Sequence, residues 1–167
     1  MTIHPKLQAQ ARLATPLGEM TAAATAAGLA GLWFDGQAHH PGPLAVPVDA
    51  GQAWLQATQA ALDAYFNGAP DPLRGLLLDL HGTAFQQAVW QALRALPRGA
   101  TSTYGRIASA AGSPAAVRAA GAAIGRNPVS ILVPCHRVLG QDGSLTGYAG
   151  GLQRKQALLV AEGVLLV

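Results

Sequence analysis

The only cysteine in this chain, Cys135, is followed directly by His136 in the segment NPVSILVPCHRV, residues 127–138. A thiol with the ordinary pKa of about 8.5 is only a few per cent ionised at neutral pH, so it needs a base before it can act as a nucleophile. An imidazole is the usual base. The pair therefore indicates that Cys135 acts as a nucleophile. The alternative is that Cys135 is a buried structural thiol, which is common for a free cysteine.

The geometry of this pair depends on the backbone around it. Consecutive residues on a strand point to opposite faces, which would keep Cys135 and His136 apart. Pro134 could break the strand and bring the two side chains to one side. A bridging water could also carry the proton between them, so that direct contact would not be needed. A carboxylate usually orients such an imidazole. The second half of the chain offers Asp142 and Glu162, and a solvated position near a helix end is the alternative for Glu162.

The charge of the chain is unevenly divided. Residues 1–80 carry three basic and six acidic side chains, a net charge of −3, whereas residues 81–167 carry eight and two, a net charge of +6. This division of charge favours an anionic partner for the basic second half. The alternative is that the uneven distribution arose by chance.

A segment of unusually small side chains precedes the cysteine. In SPAAVRAAGAAIGRNP, residues 113–128, Arg118 stands out among alanines and glycines. Together with a short helix predicted over residues 104–111, it forms a candidate helix-turn-helix. Tight packing in a core would explain the small residues. Alternatively, a slim helix can approach a DNA minor groove about 6 Å wide, with one long cation entering the base stack.

Composition excludes several classes of protein. Hydrophobic residues make up 50% of the chain, so a packed core is possible and disorder is not expected. A single cysteine excludes an internal disulfide and an all-cysteine zinc site. We see no secretion signal and no segment able to span a bilayer, so we expect a cytoplasmic protein with a reduced thiol and no membrane partner.

The first half of the chain shows strand and then helix patterns. Residues 12–36 predict three short strands, broken at PLG and AAG. A loop rich in proline and glycine follows, and helical spacing of apolar residues then predicts a helix between Gln52 and Gly68. Composition, charge and periodicity all change near residue 80, so we place a boundary there and predict domains 1–80 and 81–167.

The second half is predicted to be mostly helical. Thr83 and Gln86 have the spacing of a capping box, and apolar residues from Phe85 to Leu96 recur at helical spacing. Pro97 should stop this helix.

Two shorter helices are predicted next. Thr103 should cap the first, and Ser113 the second, with Pro114 at its first helical position. SILVP, residues 130–134, is predicted to be extended, QDGS to be a turn, and residues 151–162 to be a final helix.

The segment GRNPVSILVPCHRV resembles the active-site signature of the O6-alkylguanine-DNA alkyltransferases, whose core reads Pro-Cys-His-Arg-Val. TSTYGRIASAAGSPAAVRAAGAAIGRNP and TGYAGGLQRKQALL resemble the segments that flank it. TPLGEMTAAATAAGLAGLWFDG and LDAYFNG resemble the smaller N-terminal domain of that family. The resemblance implies an α+β fold, in which a small α/β, ribonuclease H-like N-terminal domain with a short antiparallel sheet precedes a mostly helical, winged-helix-like helix-turn-helix domain.

The resemblance also implies an activity. It is DNA repair by direct, irreversible transfer of an alkyl group, typically methyl, from O6-alkylguanine in DNA to Cys135, with one turnover per molecule. O4-alkylthymine is expected as a second substrate. The partner would be double-stranded DNA, bound through its minor groove by a monomer without cofactor or metal.

Particular residues take roles through this resemblance. Cys135 matches the nucleophile, His136 the base that works through a water, Glu162 the carboxylate that orients it, and Asn127 the asparagine that braces the turn holding the thiol. Arg118 matches the arginine that fills the gap left by a flipped base. The implied DNA-binding set is Tyr104, Arg118, Ala119, Gly121 and Arg126. The implied lesion pocket is Tyr104, Val138, Tyr148, Ala149 and Gly150.

Departures from the family and rival functions qualify this hypothesis. Some relatives carry serine at the position of Ala149, and some bind zinc in the N-terminal domain, for which His4, His39 and His40 here lack a convincing fourth ligand. A non-catalytic lesion-binding relative would lack the thiol, and a helix-turn-helix regulator would prefer one DNA sequence. A cysteine hydrolase is a poor fit, because its histidine normally lies far from its cysteine in sequence.

Overall fold

A computed structural model describes residues 3–165. The chain divides into two compact units. The first comprises the residues up to His81 together with Pro128–Ser130, and the second comprises Gly82–Asn127 and the residues from Ile131 onward.

The first unit contains a three-stranded antiparallel sheet in the order β1-β2-β3. Its strands are β1 (Ala9–Thr15), β2 (Gly18–Ala24) and β3 (Leu29–Phe34), so the three predicted strands are confirmed. Gly18 has a φ of 119° at the first break, a left-handed conformation that glycine adopts without strain. All six residues of β3 are buried, so this strand lies within the core of the unit.

One helix, α1 (Ala53–Phe66), packs against this sheet. The side chain of Gln52 caps its first turn by accepting a hydrogen bond from the backbone N–H of Leu55 at 3.1 Å. Burial of Leu62 and Tyr65 one turn apart explains why this segment is helical, since the sheet covers its apolar stripe.

The segment Pro128–Ser130 joins the edge of β3 in a parallel bridge. The backbone N–H of Leu32 donates to the carbonyl of Pro128 at 2.8 Å, and that of Ser130 donates to the carbonyl of Leu32 at 3.0 Å. These bonds fix the segment immediately before the loop that leads to Cys135.

The second unit is mostly helical. Its helices are α2 (Ala84–Arg94), α3 (Tyr104–Ala110), α4 (Val117–Gly125) and α5 (Leu152–Ala161). Two short strands, β4 (Ser102–Thr103) and β5 (Val138–Leu139), pair in parallel, and a 3₁₀ turn covers Cys135–Arg137. Both bonds of the predicted capping box are present, from Thr83 N to Gln86 Oε1 at 3.0 Å and from Gln86 N to Thr83 Oγ1 at 3.1 Å.

The predicted start of α4 is wrong. Ser113 does not cap the helix, and Pro114 is not its first residue, because α4 begins at Val117 after an N-cap without a side-chain bond. The backbone N–H of Ala116 instead donates to the carbonyl of Ser113 at 2.9 Å. Serine followed by proline also suits the first two positions of a β-turn, and that turn separates α3 from α4.

The extended conformation predicted for residues 130–134 is also wrong. This stretch forms a turn in which Ile131 has a φ of 73°, an unusual value for a β-branched residue. The predicted turn at QDGS and the predicted final helix are confirmed. Within residues 3–165, none of the helices combines the length and apolarity needed to cross a membrane.

Candidate active site

The turn after Asn127 positions the cysteine. The Asn127 side-chain amide donates to the carbonyl of Val133 at 2.7 Å and contacts the Cys135 sulfur at 3.3 Å. The backbone N–H of Cys135 donates to the same Val133 carbonyl at 2.8 Å. One buried amide therefore closes the turn and fixes the sulfur, which explains why an apolar stretch with strand propensity does not form a strand here.

The thiol of Cys135 is protonated in the resting protein. The residue is only 5% exposed, and this burial raises the pKa of the thiol above its ordinary value. The Asn127 donor and the charge of Lys155 act in the opposite direction but do not overcome burial. Transfer chemistry at this sulfur therefore requires a base.

A buried imidazole and carboxylate lie close together in the same unit. His136 Nε2 and Glu162 Oε1 are 2.7 Å apart, and both side chains are fully buried. Burial lowers the pKa of His136 despite the nearby carboxylate, so the imidazole is neutral at pH 7. Burial alone would raise the pKa of Glu162, but hydrogen bonds from His136 and Arg137 hold it well below its ordinary value.

These protonation states select one tautomer of His136. An ionised carboxylate can only accept, so the short contact to Glu162 requires the proton on Nε2. Nδ1 of a neutral ring is then an acceptor. Nδ1 is buried and has no hydrogen-bond partner among residues 3–165, so its lone pair is available to receive a proton.

Only one of the two candidate carboxylates meets the imidazole. Asp142 is exposed, and its Oδ1 accepts bonds from the backbone N–H and the hydroxyl of Ser144 at 3.0 and 2.6 Å. It stabilises the turn at residues 140–144. Glu162, by contrast, follows the last residue of α5 and points into the core.

Tyr104 lies at the start of α3, whose first turn is capped by Thr103. Its hydroxyl donates to the carbonyl of Thr146 at 3.0 Å. A Cβ at Gly121 of α4 would lie 3.7 Å from the Tyr104 ring, so the two predicted DNA-binding residues are close together. Tyr104 thus connects α4 with the segment that contains three predicted pocket residues.

The exposed face of α4 combines small side chains with two cations. Arg118 and Ala119 near its start and Arg126 at its C-cap are exposed, whereas Ala120, Ala123 and Ile124 form its buried side. Some of the small residues therefore pack in the core, and others leave a slim outer face of the kind that could approach a DNA groove.

Of the other predicted pocket residues, Tyr148 contacts the imidazole and Val138 belongs to β5. The Tyr148 ring meets the His136 ring edge-on, with centroids 6.5 Å apart. Val138 and Gly150 are buried, and Tyr148 and Ala149 are half-buried.

Comparison with known proteins identifies the family. A model described as "6-O-methylguanine DNA methyltransferase, DNA binding domain" matches residues 84–164. The methylated-DNA–protein-cysteine methyltransferase of Mycobacterium tuberculosis is 44% identical over 148 residues, which cover 89% of this chain and 88% of that protein. The chain belongs to the methylated-DNA–protein-cysteine methyltransferase family.

Other members match mainly over part of their length. The methyltransferase of Haemophilus influenzae is 50% identical over 108 residues, and that of Salmonella typhimurium is 55% identical over 103 residues. These matches cover 65% and 62% of this chain, and the chain spans 60% of the length of each of these relatives.

Solved structures of the methyltransferase family show the same mixed α/β fold. The M. tuberculosis O6-methylguanine methyltransferase superimposes with a TM-score of 0.80 at 41% identity and covers 93% of this chain and 92% of its own. A crystal structure of M. tuberculosis OGT in complex with DNA gives the same score and identity, with 92% of each chain covered.

In this family member, Arg137 contributes to the site although sequence analysis gave it no role. Its Nε and Nη2 donate to the two carboxylate oxygens of Glu162 at 2.9 and 2.8 Å, and its Nη1 donates to the carbonyl of Leu96 at 2.7 Å. The paired bonds fix the carboxylate that faces His136. Its signal in the sequence is its place two residues after the cysteine, within the Pro-Cys-His-Arg-Val core of the family signature.

Lys155 is a second contributor that sequence analysis missed. Its ammonium is fully buried and donates to the carbonyls of Val138, Thr146 and Gly147 at 2.6, 2.7 and 3.1 Å. A signal was present, because Lys155, Leu158, Leu159 and Glu162 have the spacing of one helix face. The two charged residues therefore flank an apolar stripe, and both are buried with it.

Acid is expected to destabilise this family member through Glu162. Its pKa is depressed in the folded protein, so below the ordinary glutamate pKa of about 4.3 the unfolded chain takes up a proton that the folded chain does not. The stabilisation is complete above that pKa and is lost as the pH falls. Urea unfolding between about pH 6 and pH 3 should therefore show a steeper loss for the parent than for Glu162→Gln.

The Glu162→Gln variant should be less stable at every pH, by about 3–5 kcal/mol at neutral pH, because Arg137 loses its buried partner. If parent and variant lose stability with the same slope on acidification, another group is responsible for the acid sensitivity.

Proposed function

We propose that the protein repairs alkylated DNA by transferring an alkyl group, such as methyl, from O6-alkylguanine directly and irreversibly to Cys135. One observation carries this proposal. A buried thiol is held by Asn127, and the next residue carries a neutral imidazole whose acceptor nitrogen is fixed by Glu162, in a chain whose family is named for a protein cysteine that is methylated from DNA. O4-alkylthymine is a further expected substrate of the same chemistry.

The reaction begins with removal of the thiol proton. His136 Nδ1 accepts it through a bridging water, and the imidazolium that forms is stabilised by the ionised Glu162. The sulfur then attacks the alkyl carbon in line, so that an S–C bond forms while the bond between that carbon and O6 breaks. The electron pair of the broken bond goes to guanine, which takes up one proton as it leaves.

Developing charge on guanine needs nearby donors. We infer that the Tyr104 hydroxyl is one such donor and that backbone N–H groups near Ala149 are others. The proposed lesion pocket that contains these donors is made of Tyr104, Val138, Tyr148, Ala149 and Gly150. The product is a thioether on Cys135. The chemistry contains no step that cleaves a thioether, so each molecule acts once.

Access to the alkyl carbon requires the nucleotide to leave the base stack. We infer that α4, as the second helix of a winged-helix-like helix-turn-helix, enters the minor groove of double-stranded DNA with its slim face. Arg118 then fills the gap left by the flipped base, Ala119 and Gly121 allow close approach, and Arg126 neutralises phosphate. The exposure of Arg118, Ala119 and Arg126 supports this arrangement.

The remaining parts of the proposal concern the whole chain. We infer domains 1–80 and 81–167, a ribonuclease H-like fold for the first, a cytoplasmic location and action as a monomer. The three-stranded antiparallel sheet with one packed helix in the first unit is compatible with that fold.

A stoichiometric transfer assay tests the function. Protein incubated with excess duplex containing labelled O6-methylguanine should take up label until one methyl group is bound per molecule, and then stop. Peptide mass spectrometry should find the added mass on Cys135 only. Label on another residue, or continued turnover, would contradict the proposal. Protection of the lesion without any transfer would instead favour a lesion-binding protein.

A further inference from the structure

Lys155 is buried without a carboxylate partner. Its ammonium is inaccessible to solvent, and it makes no salt bridge within residues 3–165. Burying a charge is unfavourable unless hydrogen bonds replace its hydration, and here three backbone carbonyls do so. An apolar side chain of similar volume would pack at this position without that requirement. The lysine therefore calls for an explanation beyond stability.

The three carbonyls belong to two separate segments of the chain. Val138 begins β5, directly after the Cys135–Arg137 turn, whereas Thr146 and Gly147 begin the segment 146–150. That segment includes Tyr148, Ala149 and Gly150. The ammonium thus ties the segment 146–150 to β5, which directly follows the turn that carries the nucleophile.

One of these carbonyls is shared. Thr146 accepts from Lys155 Nζ at 2.7 Å and also from the Tyr104 hydroxyl at 3.0 Å. If Tyr104 is to donate to guanine, its hydroxyl must leave Thr146. Without Lys155, the Thr146 carbonyl would then keep neither of these two donors at the moment when the substrate enters.

We propose that Lys155 is a positioning residue that holds the segment 146–150 against β5, so that Tyr104 can exchange Thr146 for the flipped base without releasing the pocket. This inference rests on the proposed function. The position of the charge adds support, because it also acts to lower the pKa of the Cys135 thiol. Burial lowers the pKa of Lys155 itself to about 8, so the ammonium remains the main form at pH 7.

Two substitutions of Lys155 test whether its hydrogen-bond donors are needed and whether its charge is needed. Lys155→Met keeps the volume and removes every donor, and Lys155→Gln keeps a neutral donor. Gln156→Met is the matched control, because Gln156 is the next residue of α5 and is exposed. Each variant should be compared with the parent for thermal stability, for affinity to duplex containing O6-methylguanine and for the transfer rate at saturating protein.

We expect Lys155→Met to transfer about 10²-fold more slowly than the parent at saturation, with DNA affinity changed less than about twofold, because a small misplacement of reacting groups has effects of this size. Lys155→Gln should be intermediate, and Gln156→Met should behave as the parent. Rates are measured below the melting temperature of every variant. Transfer by Lys155→Met at the parental rate would overturn the inference.

A double-mutant cycle with Tyr104→Phe distinguishes positioning from general stabilisation. If both residues act through the Thr146 carbonyl, Tyr104→Phe should slow transfer much less in the Lys155→Met background than in the parent. Additive effects would indicate that Lys155 only stabilises the fold and would overturn the inference. If the parent itself transfers no methyl group, both the proposed function and this inference are wrong. If the parent is active and Lys155→Met is equally active, only the inference is wrong.

Discussion

Replacement of Cys135 by serine is expected to reduce methyl transfer by more than about 10⁴-fold, below detection in a labelled assay. A serine hydroxyl fits the space and can accept from the Asn127 amide, which lies 3.3 Å from the sulfur. It is nevertheless much harder to ionise than a thiol, and oxygen is a poorer nucleophile toward a saturated carbon. The assay is transfer from duplex containing labelled O6-methylguanine, read after complete exposure to excess substrate.

The same variant should still bind DNA. None of Tyr104, Arg118 and Arg126 contacts Cys135 in the hydrogen bonds of the described residues, so affinity for the lesion duplex should stay within about twofold of the parent. Retained transfer by Cys135→Ser would mean that another residue receives the alkyl group. Loss of both transfer and binding would point to a folding defect, which thermal unfolding and a Cys135→Ala variant would reveal.

Replacement of His136 by glutamine is expected to slow transfer by about 10²–10⁴-fold near neutral pH, the range typical for loss of a general base. The amide can still donate to Glu162, but it provides no basic nitrogen for the thiol proton. The thiol has a raised pKa, so few molecules carry a thiolate without this help. The measurement is the single-turnover transfer rate at saturating protein.

The pH profile decides whether the imidazole acts as a base. The rate of His136→Gln should rise steadily with pH, because hydroxide and water then replace the missing base, and the difference from the parent should narrow. Glu162→Gln should lie between the two, since its amide oxygen can still hold the Nε2 proton but stabilises an imidazolium less well. A constant ratio of His136→Gln to parent across pH would argue that His136 only shapes the site.

Local sequence patterns predicted those elements whose stability is decided locally. The capping box at Thr83 and Gln86 is one case, because both of its hydrogen bonds join residues three positions apart. The three strands of the first unit are another, since Gly18 at the first break has a φ of 119°, which lets the backbone reverse there. In the site, the pattern singled out Cys135 and His136 because they are adjacent.

The errors occurred where contacts with residues outside the segment decide between conformations that are both locally possible. SILVP has strand propensity, but Asn127 binds the carbonyl of Val133 and folds the stretch into a turn. At Ser113, both capping and a β-turn are locally possible, and the packing of α3 with α4 accompanies the turn. No local rule distinguishes these outcomes.

The site residues that sequence analysis missed are those whose partners come from other segments. Arg137 contacts Glu162, 25 residues away along the chain, and Leu96, 41 residues away. Lys155 was recognisable in principle, as one of two lysines in a chain with nine arginines and as part of the buried face of α5. Its three acceptors are backbone carbonyls, which carry no side-chain signature.

If each molecule acts once, as proposed, the enclosure of the Cys135 sulfur has a further consequence. A thiol that is 5% exposed and held protonated reacts slowly with peroxides, disulfides and small electrophiles, since these attack the accessible thiolate. Under the proposed single turnover, each such encounter would remove one repair event. Resting inertness therefore conserves the supply of usable molecules until a damaged base brings its own alkyl group to the sulfur.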